Sequence, residues 1–105
     1  MSGSGGGNSF ESGPSKDCNT LTIITQLASP VPAVIATLKS ADILEIILTP
    51  PAGPVQAITS GNSVAGAILS KDIAQLIICM SEGHEYKAKI LEIKGGNCQI
   101  LITHK

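Results

Sequence analysis

Residues 42–49 (DILEIILT) form an aliphatic run that would be apolar on both faces of a strand. Successive side chains of a strand point to opposite sides of a sheet, so Leu44 and Ile46 share one side while Ile43 and Ile47 share the other. Such a strand is typical of one that is covered on both sides, as in a closed or strongly curved sheet. The run therefore favours a small β-barrel.

Other segments are also rich in β-branched or aliphatic residues and are bounded by turn residues, which is the pattern of strands. These predicted strands are residues 20–27, 55–59, 64–69, 84–94 and 97–103. Residues 50–54 and 60–63 are rich in Pro, Gly, Ser and Asn, so we expect turns there. Gly66 inside a strand predicts a bulge or a close approach of another stretch of backbone.

The last two predicted strands are separated by glycines at residues 95–96, a strong signal for a two-residue hairpin. A hairpin with that loop pairs Ile93 with Cys98. If the ladder continues without interruption, it also pairs Leu91 with Ile100. The shared face of the two strands is then apolar.

One segment, residues 70–82, has the signature of an α-helix. Ser70 suits the N-cap, and Gly83 suits the position just past the C-terminus, where the backbone is left-handed. The core face at helical spacing consists of Ile73, Leu76, Ile77 and Met80. A short helical turn is expected near residues 30–38, with Pro30 as its first residue. The prediction is thus a mainly β fold, a β-barrel of about six strands with one inserted helix.

The beginning of the chain differs in composition from the rest. Residues 1–17 (MSGSGGGNSFESGPSKD) are rich in Gly and Ser, with Phe10 as their one aromatic side chain. Such a segment buries too little surface to offset the entropy of ordering it. We therefore expect a disordered tail, followed by one domain at residues 18–105. The sequence lacks a secretory leader and an apolar run of about 20 residues, which predicts a cytoplasmic protein that does not enter a membrane.

The charge of the chain argues against tight binding of nucleic acid. All 7 basic residues are lysines, and the formal net charge is −1. Arginine supplies the planar fork that recognises phosphate and guanine, and this chain has none. Lys87, Lys89 and Lys94 are nevertheless close together in the sequence.

The 3 cysteines are Cys18, Cys79 and Cys98, and no pair has CxxC spacing. An odd number of cysteines in a chain without a secretory leader does not indicate a disulfide framework. We expect all three to be buried or half-buried thiols that act as small hydrophobic side chains.

Together with His84 and His104, the cysteines are the ligand types of a tetrahedral zinc site. Structural zinc sites usually show paired ligands at short spacing, and the only close pair here is Cys79 with His84. This pattern predicts no metal and no other cofactor.

Enzyme motifs are incomplete throughout the sequence. His84-Glu85 begins like the metalloprotease motif HExxH, but Ala88 stands where the second histidine belongs. Residues 61–66 have the glycine spacing of a phosphate-binding loop, but residues 67–68 are Ala-Ile where Lys and Ser or Thr are needed. The acidic residues are scattered. We therefore predict no catalytic residues and no enzymatic activity.

A longer pattern covers residues 53–93. It has an Ala-Ile pair at residues 57–58, a hydrophobic-Gly-x-Ile step at residues 65–68, a helix ending at Gly83, and Tyr-x-Ala at residues 86–88. In these features the chain resembles the HIRAN domain. The resemblance implies a β-barrel of the SH3, OB or HIRAN type and, as in some members, binding to the end of single-stranded DNA. A Gly-rich tail before an aliphatic barrel is also similar to small bacterial proteins of unknown function.

Two functional hypotheses lead from the sequence, and a metal-dependent or thiol enzyme is the third alternative. The excess of aliphatic surface favours a non-enzymatic binding or assembly module that contacts another protein or its own copies. The alternative, implied by the resemblance, is a single-stranded nucleic-acid groove. Its candidate residues are Tyr86, Lys87, Lys89 and Lys94.

Overall fold

The structure, a computed structural model, describes residues 17–49 and 53–105. Six antiparallel strands form one sheet that curls into a half-barrel, with two short helices in the connections. The prediction of a mainly β, barrel-like domain with one inserted helix and a helical turn is confirmed. Residues 1–16 of the predicted tail and 50–52 of the predicted turn lie outside the described residues.

The elements follow the chain as β1 Ile23–Gln26, α1 Pro32–Ile35, β2 Ile43–Leu48, β3 Val55–Ile58, β4 Val64–Ala67, α2 Ile73–Ser81, β5 Tyr86–Lys94 and β6 Asn97–His104. The strand order in the sheet is β1-β6-β5-β2-β3-β4. β1 is shorter than the predicted strand because Thr20 belongs to a turn, in which its N–H donates to the main-chain oxygen of Asp17 at 3.0 Å. Asp17, the last residue of the predicted tail, is therefore part of this turn.

The two edges of the sheet meet where the chain leaves β1. Ala28 and Ala67 of β4 exchange two main-chain hydrogen bonds of 2.8 Å each. Gly66 lies against this contact: a Cβ atom there would be 3.0 Å from the Ala28 oxygen and 3.1 Å from the Leu27 Cβ. The predicted close approach of backbone at Gly66 is confirmed, and it is what joins the two edges of the half-barrel.

Replacing Gly66 should test this contact. Gly66→Ala is expected to lower the free energy of unfolding by about 1–3 kcal/mol, because the new methyl group overpacks against backbone that cannot move aside easily. Gly61→Ala is the matched control, since its nearest contact would be the Thr59 Oγ1 at an ordinary 3.7 Å. Urea unfolding of both variants measures the difference. Equal stability of the two would contradict the close approach.

The core lies between the concave side of the sheet and α2. Its most completely buried large side chains are Leu44, Ile68, Leu76, Tyr86, Ile90, Ile100 and Ile102. On the opposite, outer side of β2, Ile43 and Ile47 are 52% and 37% exposed. The expectation that both faces of this strand are covered is therefore wrong for the described part of the chain. The sheet curls around one side only.

The β5–β6 hairpin has the predicted turn but only part of the predicted register. Ile93 pairs with Cys98, as expected from the two-glycine loop. A bulge at Leu91 then shifts the ladder, so that Ile90 pairs with Ile100. A hairpin loop fixes the pairs next to it, whereas a bulge changes every pair beyond it. The prediction for Leu91 is wrong for this reason.

Both helices begin later than predicted. Ser70 does not cap α2; its side-chain oxygen accepts a 3.1 Å hydrogen bond from the Asp72 N–H in a separate turn before the helix. In α1 the first residue is Pro32, because the Val31 N–H still pairs with the Ala65 oxygen at 2.9 Å. Neither helix of the described chain is long and apolar enough to cross a membrane.

Candidate thiol–histidine site

The C-terminus of α2 positions Cys79 and His84 at the same end of the helix. Gly83 has φ of 101°, and its N–H donates to the Met80 oxygen at 3.1 Å, while the His84 N–H donates to the Cys79 oxygen at 3.1 Å. These two hydrogen bonds define a Schellman turn, for which glycine is the favoured residue. The predicted role of Gly83 is confirmed, and the turn brings His84 back beside the last helical turn.

Cys18 and Cys79 form a disulfide with their Cα atoms 5.6 Å apart. The prediction that these two residues are free thiols is wrong. They are 61 residues apart in the sequence, and only the packing of the segment before β1 against α2 brings them together. Cys98 is a buried free thiol, as predicted, and burial raises its pKa.

A carboxylate and an imidazole lie next to this disulfide. The Cys18 Sγ, a Glu82 carboxylate oxygen and a His84 ring nitrogen all lie within 4.8 Å of one another. Cys79 is completely buried, Cys18 and His84 are half-buried, and Glu82 is exposed. We call these four residues the thiol–histidine site. The site combines sulfur, nitrogen and oxygen donor atoms at the point where the core meets the protein surface.

When His84 and His104 are both neutral, their hydrogen bonds determine which nitrogen of each ring carries the proton. The Nδ1 of His104 lies 2.8 Å from the main-chain oxygen of Lys105, which can only accept. His104 therefore carries its proton on Nδ1 and leaves Nε2 as an acceptor. The Nδ1 of His84 lies 3.0 Å from this Nε2 and must donate to it. The Nε2 of His84 is then left with a free lone pair.

Tyr86 supports the site from inside the core. Its ring is 0% exposed, and its hydroxyl donates to the main-chain oxygen of Cys18 at 2.6 Å. Burial, and next the negative charge of Asp17, raise its pKa. The ring also meets the His104 ring edge-on at 5.2 Å between centroids. Tyr86 therefore has no free face for a nucleic-acid base, and the prediction that it lines a groove is wrong.

The three predicted lysines are exposed but do not form a compact patch. Lys87 and Lys89 are two residues apart in β5 and both lie on its outer face, opposite Thr103 and Leu101 of β6. Lys94 lies next to the hairpin turn, roughly 20 Å along the strand from Lys87. Its ammonium is 3.6 Å from Glu92, in a highly exposed ion pair. A role of these lysines in nucleic-acid binding stays a prediction.

Part of the thiol–histidine site could be recognised from the sequence. The spacing of Cys79 and His84 was visible because the same helix end carries both. Cys18 and His104 come from opposite ends of the described chain, and nothing in their sequence neighbourhoods marks them as partners. Comparisons of the chain with protein families, with curated proteins and with solved structures found no match.

Proposed function

We propose that the protein is a small, non-enzymatic binding or assembly module that acts by contacting another protein or a second copy of itself. The observation that carries the proposal is the exposed aliphatic surface on the outer side of the sheet. Ile24 of β1 and Ile43 of β2 are 61% and 52% exposed. Large apolar side chains exposed on one face of a sheet are typical of protein contact sites.

These side chains belong to one row across the sheet. Ile24 pairs with Leu101, Leu101 pairs with Lys89, and Lys89 pairs with Ile43. Residues paired in this way lie side by side on the same face. The row therefore forms an apolar band interrupted by one lysine, whose aliphatic stem can lie along its neighbours. We call the row the outer band.

A groove of about 420 Å³ continues the outer band toward β3. Ile47 and Ile58 line it together with Ile43, and Lys87 and Lys105 stand among its charged lining residues. The Lys105 ammonium donates to the Glu45 carboxylate at 2.6 Å, and this hydrogen bond raises the lysine pKa. Apolar residues bordered by charged ones resemble the organisation of protein interfaces, with an apolar centre and a polar rim.

The proposal predicts association that depends on the outer band. The double variant Ile24→Thr/Ile43→Thr keeps β-branched residues in both strands but reduces the exposed apolar area. We expect it to weaken self-association or partner binding by about tenfold or more, since each lost apolar contact contributes on the order of 1 kcal/mol. Light scattering coupled to size exclusion, over a range of concentrations, measures self-association. Cross-linking followed by mass spectrometry measures contact with a partner.

Leu69→Thr is the matched control. Leu69 is 72% exposed and lies in the connection between β4 and α2, outside the row of paired residues that forms the outer band. Its replacement should leave association unchanged. A protein that remains monomeric, with no cross-linked partner sensitive to the double variant, would count against an assembly module.

Nucleic-acid binding is the competing hypothesis, and the exposed Lys87 and Lys89 are what favours it. Fluorescence anisotropy of a labelled single-stranded oligonucleotide at low salt decides between the two on the same protein preparations. Non-specific binding by lysines should weaken steeply with added salt. Binding lost in Lys87→Gln/Lys89→Gln but retained in the outer-band variant would favour a HIRAN-like function over protein contact.

We place the module in the cytoplasm, as the sequence predicts. A reducing compartment would hold Cys18 and Cys79 as a dithiol, since disulfides rarely persist there. Trapping free thiols with an alkylating agent at the moment of cell lysis reports which form is present.

A further inference from the structure

We propose that the reduced protein binds a Zn²⁺ ion through Cys18, Cys79, His84 and Glu82, so that the disulfide and the metal site are alternative states of the same two sulfurs. The inference does not depend on the outer band or on the proposed assembly function. It rests on the geometry of the thiol–histidine site, on the hydrogen bonds that orient its imidazole, and on the donor atoms it combines.

The donor atoms are already close to the spacing of a tetrahedral site. Zinc bonds of about 2.0–2.3 Å place the ligand atoms of a tetrahedron about 3.3–3.8 Å apart. The Cys18 Sγ, the Glu82 oxygen and the His84 nitrogen lie within 4.8 Å of one another. The Cys79 Sγ is bonded directly to that of Cys18, and reduction frees the two sulfurs to move apart to the spacing of zinc ligands. Separation of the two sulfurs by about a further 1–2 Å, together with a shift of the exposed Glu82 side chain, would bring the four donor atoms to this spacing.

The metal state requires reduction of the disulfide. A dithiol reductant is oxidised to its own disulfide while the bond between Cys18 and Cys79 accepts two electrons and two protons and becomes two thiols. On binding zinc each thiol gives its proton to solvent, because the thiolate is the ligand. Reduction of the disulfide therefore requires only a dithiol, or a phosphine in the laboratory.

His84 has a ring nitrogen available to bind a metal ion before any metal arrives. Its Nδ1–H is committed to the Nε2 of His104, which leaves the Nε2 lone pair of His84 free. Metal-bound histidines commonly donate their second ring N–H to such an outer partner, which fixes the tautomer and ring angle. His104 is thus a positioning residue, and it is held in turn by the main-chain oxygen of Lys105.

Cys79 has a partner suited to a thiolate. The side-chain amide of Gln75, one turn earlier in α2, lies 3.4 Å from the Cys79 sulfur and can donate to it. A hydrogen-bond donor to the sulfur offsets part of the cost of holding a thiolate charge on the buried Cys79. Two sulfurs with one imidazole select a soft or borderline ion such as zinc over calcium or magnesium, which prefer oxygen ligands.

Metal titration of the full chain tests the proposal. The protein is reduced with a phosphine, freed of metal and titrated with Co²⁺, whose thiolate charge-transfer absorption reports sulfur ligands, and then with Zn²⁺. We expect stoichiometric binding by the reduced protein, displacement of cobalt by zinc, and no binding by the disulfide form. Zinc should also protect Cys18 and Cys79 from alkylation. If the reduced chain unfolds without metal, zinc should restore its circular dichroism.

Paired variants distinguish the residues that bind zinc from the residues that only lie beside the site. His84→Ala should weaken zinc binding by about 100-fold or more, and His104→Ala by about 10- to 100-fold. His104→Gln keeps an acceptor for the Nδ1–H of His84 and should restore most of the loss. Glu82→Gln should weaken binding, whereas Glu85→Gln should not.

Cys98→Ala serves as the thiol control and should bind zinc like the unmodified protein. Equal zinc affinity in the oxidised and reduced forms would overturn the proposal. So would alkylation rates of Cys18 and Cys79 that zinc leaves unchanged, or zinc binding that His84→Ala does not weaken.

Discussion

Reduction of the Cys18–Cys79 disulfide, with a chelator present, should lower the free energy of unfolding by about 2–4 kcal/mol. The bond spans a sequence separation of 61 residues. Closing a loop of that length removes unfolded-state entropy worth about 4 kcal/mol at room temperature, and measured values are usually smaller. Urea unfolding of the oxidised and the reduced protein, followed by circular dichroism, gives the difference directly.

Two variants show whether the effect belongs to this bond. Cys98→Ala removes the buried free thiol and should leave the response to reductant unchanged. Cys18→Ala/Cys79→Ala should show no response to reductant and should have a stability close to that of the reduced protein. A reductant effect that persists in the double variant would contradict the assigned pairing.

Replacement of Tyr86 by alanine should have a comparably large effect on stability, about 3–5 kcal/mol, because it empties a large buried site in the core. The ring is 0% exposed and contacts His104 edge-on. Tyr86→Phe keeps the ring but leaves the Cys18 carbonyl without its 2.6 Å donor. This variant should lower the free energy of unfolding by about 1 kcal/mol. Thermal and urea unfolding of the two variants separate the packing of the ring from the hydroxyl hydrogen bond.

Lys87→Ala is the control for the Tyr86 variants, since Lys87 is the next residue and points outward. Surface substitutions of this kind usually change stability by no more than about 0.5 kcal/mol. If Tyr86→Ala were no more destabilising than Lys87→Ala, the ring would not be part of the core, and a role in stacking against bases would return.

Most of the fold could be predicted because its signals are local. The glycines at residues 95–96 fix a hairpin turn, Gly83 ends a helix, and β-branched runs bounded by turn residues indicate the strands. Each of these signals acts within a few residues of the chain. The bulge at Leu91 was missed because it depends on how β5 fits the sheet around it, and no residue type in that stretch demands it.

The candidate site was less accessible to prediction because its members meet only in the folded chain. Cys18 lies in the turn before β1, Cys79 lies in α2, and the positioning residue His104 lies in β6. Metal-ligand motifs are recognisable when one turn carries several ligands, and here Cys79, Glu82 and His84 satisfy that condition. The alternation rule placed Tyr86 on a strand correctly, but it could not tell which face of β5 would be buried.

The pairing of β1 with β6 has a consequence for how this domain is made. Ile23 lies opposite Ile102, so the first strand of the sheet finds its partner only in the last one. The β5–β6 hairpin can form early because its contacts are local, whereas docking of β1 closes the longest loop and is intrinsically slow. On a ribosome, β1 emerges first and waits unpaired until β6 has left the exit tunnel. During that interval the apolar side chains of β1 lack their native partners, which leaves this strand open to contacts with other chains.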